Sequence, residues 1–230
     1  SLGKVIQTIE LRGYPHGITL DKDENIYVTE WWDFVGVEKF TKTTHGPPAS
    51  HFPWAATDFE IEDQGVFGLP ADVVVDPDGI VYVLKSHTSD GQSFSGMGVH
   101  KISADGGYLE FLPVPETIVS AKTHSGASLM TIDKEGYLYL VDQKGSNIII
   151  LDPSNGNVKV LDFEYSGDVQ SIAFNPEGFM FVADSGFKEK KRSIHVFDEY
   201  HLPITTIGEY GTEDGKIWGT HGLEFDKDGK

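Results

Sequence analysis

The sequence predicts an all-β protein, a β-propeller built from four-stranded antiparallel blades, and three observations predict it. An apolar strand, an acidic tight turn and a second apolar strand appear together at residues 13–30, return at residues 69–84, 128–141 and 169–184, and begin again at residue 220. The copies recur at about fifty residues, the spacing of propeller blades. Their strands are apolar on consecutive residues, as in Val73-Val74-Val75 and over residues 80–84 and 179–182, which marks strands covered on both faces. Helical periodicity is absent over any sustained stretch, and 26 Gly and 11 Pro punctuate the chain.

Taken in order, residues 3–11 read as the outer strand of a blade whose other strands lie elsewhere. The first full blade, residues 13–62, turns at Asp21-Lys22-Asp23-Glu24, continues with a third strand over residues 35–40, and reaches a candidate fourth at residues 57–61 after a long connection. The second, residues 66–113, turns at Asp76-Pro77-Asp78-Gly79 and adds strands at residues 98–103 and 108–112. The third, residues 126–162, turns at Asp133-Lys134-Glu135-Gly136 and adds strands at residues 147–151 and 157–161. The fourth, residues 167–208, turns at Asn175-Pro176-Glu177-Gly178 and adds strands at residues 193–197 and 203–207. Residues 217–230 start another blade, and residues 1–230 form a single propeller domain. Whole units flanked by partial ones leave strand edges open, so a longer, six-bladed parent is expected. The acidic turns are explained by turn chemistry, since Asp accepts bonds from its own turn and Gly supplies positive φ. A calcium loop needs further ligands and a terminal Glu, and Ile80 stands where the next ligand would fall.

Composition excludes some functions. With 36 acidic against 18 basic side chains the formal charge is −18, so a nucleic-acid partner, which needs clustered Lys and Arg, is not expected. The acidity suits cationic partners, metal ions or a saline exterior, and an extracellular or periplasmic setting is favoured. No cysteine is present, which removes disulfides, thiolate metal sites and thiol nucleophiles. No apolar run is long enough for membrane insertion, and residue 1 opens directly into folded-looking sequence, so any signal peptide is expected to be already removed or never present. Phosphate loops, nucleophile elbows and His-Glu-x-x-His motifs are absent.

The form Gly-x-Pro-His-Gly-Ile-x-x-Asp-x-Asp-x-Asn-Ile-Tyr-Val-Thr-Glu at residues 13–30, with Phe-Val-Ala-Asp-Ser-Gly and Ile-His-Val-Phe-Asp within residues 181–198, resembles the NHL repeats of six-bladed propellers. A more distant resemblance is to the peptidyl-hydroxyglycine amidating lyase branch, whose zinc histidines open the innermost strands of alternate blades. In this chain that position holds His16, Ala71, Ser128, Gln170 and His221. The resemblance implies His16 and His221 as a metal pair at the channel mouth, with His124 or an acid as the third ligand and zinc or calcium as the ion; the other reading of both is a structural histidine hydrogen-bonded within the channel mouth, as in NHL blades without metal. The family's catalytic Tyr and Arg have no match at Ser86-His87-Thr88 or Gln143-Lys144.

Glu30, Lys85, Asp142 and Asp184 end the second strands, on the rim where the innermost strands begin. Such acids either anchor loop backbone or add ligands to a cation. Trp31 and Trp32 follow Glu30 and bring aromatic contact area to the same rim. The ligand-binding rim is thus read as Trp31, Trp32, Glu30, Asp142 and Asp184. His45, His51 and His87 fall in loops, His100, His195 and His201 on or beside outer strands with a surface role, and the basic run at residues 188–192 on a solvated hairpin tip. The expected function is binding of a protein, peptide or glycan through rim loops. The alternative is a metal-dependent lyase or hydrolase, and without a complete catalytic set the sequence leans away from an enzyme.

Overall fold

A computed structural model describes residues 8–31, 36–40, 50–52, 70–85, 97–115, 118, 129–142, 147–162, 169–185, 192–214, 216–218, 222–226 and 228–229. Among these residues there is no helix. The first blade is β1 (Tyr14–Leu20), β2 (Ile26–Trp31), β3 (Gly36–Phe40) and β4 (Ser50–Phe52). The second is β5 (Pro70–Val75), β6 (Val81–Lys85), β7 (Gly98–Ile102) and β8 (Tyr108–Pro113), and the third is β9 (Leu129–Ile132), β10 (Leu138–Asp142), β11 (Asn147–Leu151) and β12 (Val158–Asp162). The fourth is β13 (Val169–Phe174), β14 (Met180–Asp184), β15 (Ser193–Phe197) and β16 (Pro203–Ile207). Each sheet is an antiparallel meander in chain order, and β1, β5, β9 and β13 lie side by side as innermost strands. These are four blades of a β-propeller.

The hairpin turns repeat one set of bonds. Asp76 Oδ1 accepts the amides of Asp78 and Ile80, at 2.9 and 2.8 Å, while Asp76 Oδ2 accepts the Tyr82 hydroxyl at 3.2 Å. Asp21 does the same for Asp23, Asn25 and Tyr27, and Asp133 for Glu135, Tyr137 and Tyr139. Gly79, Gly136 and Gly178 close their turns at φ near +90°, a region glycine enters without steric cost.

The core lies between blades rather than within them. Tyr27, Val37, Val73, Val81, Val83 and Ile102 fill the first joint. Tyr82, Leu84, Val99, Met130, Leu140 and Ile149 belong to the second, and Tyr139, Ile148, Ile172, Val182 and Phe197 to the third. This explains the continuous apolar runs: β6 is buried at every position because a blade covers each of its faces. Each such side chain contributes on the order of 1.5–3 kcal/mol. The innermost strands add polar fastenings at a bulge near their start, where the ladder slips between Pro15 and Ile18, Pro70 and Asp72, and Val169 and Ser171. There Gly17 donates its amide to Thr29 Oγ1 at 2.7 Å, Met130 donates to Asp72 Oδ2 at 2.8 Å, and Leu223 donates to Ser171 Oγ at 3.0 Å.

Two expectations shift. The strand that pairs with β3 is Ser50–Phe52, inside the stretch read as a connection, while residues 57–61 lie outside the described residues. A three-residue strand bonded to a single neighbour is too short to show alternation in sequence. Residues 8–11 carry no strand, and the rest of the leading segment lies outside the described residues.

Candidate functional site

The rim where second strands end and third strands begin is built by register. Glu30 sits opposite Gly36, Lys85 opposite Gly98, Asp142 opposite Asn147 and Asp184 opposite Ser193. Two residues further along the third strands, Glu38, His100, Ile149 and His195 hold one equivalent position, opposite Val28, Val83, Leu140 and Val182. Three of the four blades therefore carry a polar pair inside the rim.

In the first blade both carboxyls are buried. Glu30 and Glu38 have 0% exposure, Glu30 Oε2 accepts the Gly13 amide, and Arg12 Nε pairs with Glu38 Oε1. Burial, reinforced by the neighbouring Glu38 carboxyl and opposed by the Gly13 amide and Arg12, pushes the Glu30 carboxyl up to about 7. Glu30 thus anchors the backbone that enters β1, and its carboxyl also meets that of Glu38. In the second blade Lys85 lies 5.5 Å over the Phe111 ring, with its ammonium pushed down by burial. Burial and the Lys85 charge push His100 down to about 3, leaving a neutral imidazole packed 4.7 Å from Phe111.

The fourth blade pairs Asp184 with His195. His195 Nε2 lies 3.6 Å from Asp184 Oδ2 and 3.1 Å from Ser193 Oγ, and Nδ1 lies 3.2 Å from Thr206 Oγ1. Serine and acid share one ring nitrogen here, whereas a nucleophilic triad needs them on opposite nitrogens. The arrangement holds strands together rather than activating a serine. The surface role expected for His100 and His195 is corrected accordingly, because they are only 4% and 7% exposed. His201 is also partly covered, with Nε2 3.0 Å from the Tyr139 hydroxyl. The signal that finds these residues is the shared register with Glu38, visible only when the blades are aligned with one another.

The remaining rim residues divide between described and undescribed positions. His16 is exposed near the start of β1, and partial burial pushes its imidazole below the ordinary value. His221 and Trp32 lie outside the described residues. Trp31 closes β2 opposite Tyr14 and Asp142 closes β10, with side chains outside the description. Asp184 is 2% exposed. Among the described residues no group of three or more His, Cys, Asp or Glu is arranged to hold a metal ion. Arg192, read as part of a solvated tip, instead donates from Nε to the Ser185 carbonyl at 3.1 Å and lies over the rings of Tyr210 and Trp218. The opposite face, where the acidic turns lie, carries clefts of about 420 Å³ between the second and third blades and about 300 Å³ between the third and fourth.

Comparison with solved structures matches this architecture widely. A virginiamycin B lyase from Staphylococcus aureus superposes with a TM-score of 0.61 at 14% identity, over 95% of this chain and 62% of that one. A hydrazine synthase from Kuenenia stuttgartiensis gives 0.60 at 14% identity, over 90% and 51%, and a gluconolactonase-like protein gives 0.57 at 14%, over 92% and 67%. The shared property is the propeller fold. The chain spans about six tenths of the length of the lyase it matches. No family model matches it, and neither does any curated protein. Identities this low carry fold and not chemistry.

Proposed function

We propose that this chain is an NHL-type propeller scaffold that binds a protein, peptide or glycan through the rim at which the second strands end. The observation that supports this reading is how loop length varies between the two faces. First and second strands are linked by residues 21–25, 76–80, 133–137 and 175–179, the same length in every blade and closed by the same Asp or Asn bonds. Second and third strands are linked by residues 32–35, 86–97, 143–146 and 185–192, which differ threefold in length. The third-to-fourth-strand connections on the turn face, residues 41–49, 103–107, 152–157 and 198–202, vary twofold at most, so we place the recognition residues on the face whose loops vary more. Glu30 contributes by holding the β1 entry at Gly13, so its effect on a ligand runs through the position of the rim.

The test is a screen of the intact protein against peptide and glycan arrays. A ligand found there should bind at least tenfold more weakly when Trp31 and Trp32 are both replaced by Ala. Its affinity should not change with Tyr137→Ser on the turn face. Unchanged affinity in the double tryptophan variant removes those two residues from the site, and binding lost with Tyr137→Ser moves it to the other face.

A further inference from the structure

We infer that the cleft between the third and fourth blades, on the turn face, is a second binding site, for a small organic cation of the alkylammonium or alkylguanidinium class. It goes beyond the rim reading and stands on different residues. Both flanking blades are complete four-stranded sheets, so the cleft is bounded on each side by described structure. It holds about 300 Å³, the lower end of the size range for small-molecule sites. Asp133 and Tyr139 from the third blade meet Phe174 and His201 from the fourth within it. The Tyr139 hydroxyl donates to Asp133 Oδ2 at 3.1 Å and lies 3.0 Å from His201 Nε2, while its ring sits 4.7 Å from that of Phe174.

His201 holds a position that its counterparts give to glycine. The turns joining third and fourth strands close with Gly106 at φ 92°, Gly156 at φ 73° and His201 at φ 63°, each donating its amide back to the residue that opens the turn. A side chain in that region costs free energy that glycine avoids. The imidazole gained in exchange reaches across to the third blade. Because the Tyr139 proton goes to Asp133, His201 Nε2 is the donor of its pair. Burial and the Lys159 charge hold the imidazole below its ordinary value, against the pull of Asp133 and Asp198, so the ring is neutral at pH 7 and its Nδ1 can only accept.

The lining selects the charge of the ligand. Glu135, Asp198 and Glu199 bring further carboxylates to the cleft, and no Lys or Arg lines it. The neighbouring cleft of about 420 Å³ carries Lys101 and Lys134 among its carboxylates and so neutralises itself. Glu135 has Lys134 at 3.7 Å, but that ammonium is also tied to the Glu177 carbonyl at 3.2 Å. Among the described residues no Lys or Arg pairs with Asp198 or Glu199. Tyr137 and Tyr200 add aromatic rings to the same lining. An organic cation answers each of these features: its N–H groups donate to the carboxylates and to Nδ1, and its charge is drawn to the rings. An anion would be repelled, and a divalent metal would find no group of three or more ligating side chains among the described residues.

The experiment titrates the intact protein by calorimetry with agmatine and with cadaverine at low ionic strength, using pentanediol as the uncharged analogue. At least one cation is expected to bind, the diol is not, and affinity should fall as salt is added. Asp198→Asn keeps the turn, since Asn175 accepts the equivalent amide in the hairpin of the same blade, and His201→Gly installs the residue that the other turns use. Each should weaken the cation about tenfold. Thermal melting separates lost contact from lost fold, and if one variant melts early the other keeps the test decisive. Replacing Trp31 and Trp32 by Ala should leave cation binding unchanged, which separates this site from the rim. No binding of either cation, equal binding of the diol, or unchanged affinity in either variant that keeps its melting temperature overturns the inference and leaves the rim reading standing. Cation affinity lost in the double tryptophan variant overturns it as well, and moves the cation to the rim.

Discussion

At the residue scale, the bond between Tyr82 and Asp76 shows how the chain uses its repeats. The same hydroxyl-to-carboxylate contact recurs at Tyr27 and Tyr139, and in the fourth blade both partners change together, to Asn175 and Phe181. A phenol without its carboxylate, or the reverse, leaves a partly buried polar group short of a partner, at about 1 kcal/mol. Tyr82→Phe and Asp76→Asn are each expected to lower stability by roughly that amount. The double variant, which copies the fourth blade, should cost less than the two losses added together. Chemical denaturation of the four proteins in a mutant cycle measures the coupling. The Asp half of this bond was legible in the sequence because acidic turns are local. The Tyr half was not, because it lies six residues on and reads as ordinary strand. His100 and His195 escaped for the same reason: strand position predicts which sheet a side chain joins, but the pleat and the neighbouring blade decide which way it points.

At the scale of the element, the first hairpin is the odd one among four. Its turn puts Glu24 at φ 61°, where the other three blades have Gly79, Gly136 and Gly178. A side chain in that region costs on the order of 1–2 kcal/mol, and glycine gives back part of it in chain entropy. Glu24→Gly is therefore expected to raise stability by a few tenths to about 1 kcal/mol. Gly136→Ala, where nothing lies within 4 Å of the added methyl, should lower it by about 1 kcal/mol through φ alone. Urea midpoints of the two variants should move in opposite directions, and movement in the same direction would contradict this account of the turn. In the four full blades only the fourth strand of the first is placed differently from the sequence reading, while the outer strand expected at residues 3–11 is missing over residues 8–11. Long doubly covered strands such as β6 announce themselves by composition, whereas β4 is three residues, Ser50–Phe52, within a Pro-rich and His-rich stretch.

At the scale of the whole molecule, two buried carboxyls and the overall charge act in the same direction. Burial pushes Asp72 up to about 7 despite the amides of Met130 and Val73, and Glu30 also rises to about 7. Their ordinary values are 3.8 and 4.5. Between those values and 7 the folded state holds protons that the unfolded chain has released, so stability falls as pH rises. Their contribution is complete below pH 4 and lost as pH passes 7, while the net charge of −18 adds self-repulsion at the alkaline end. His100, held down at about 3, opposes them up to its ordinary value of 6.5, so the denaturation midpoint should decline between pH 6.5 and pH 8. Glu30→Gln and Asp72→Asn should each flatten that decline, and an unchanged slope in both would show that these groups do not control it.

The innermost bulge carries a consequence for how such a protein can be rearranged. A Cβ on Gly17 would meet Asp72 Oδ1 at 2.2 Å, Asp72 in turn grips the Met130 amide, and Ser171 grips that of Leu223. The first, second and fourth blades are thus each fitted to the segment that follows. Shuffling, duplicating or grafting blades as interchangeable cassettes would place the wrong side chain against a neighbour's backbone. A transplanted blade would need to bring its successor's innermost strand with it, which makes the joint, not the blade, the unit that can be moved.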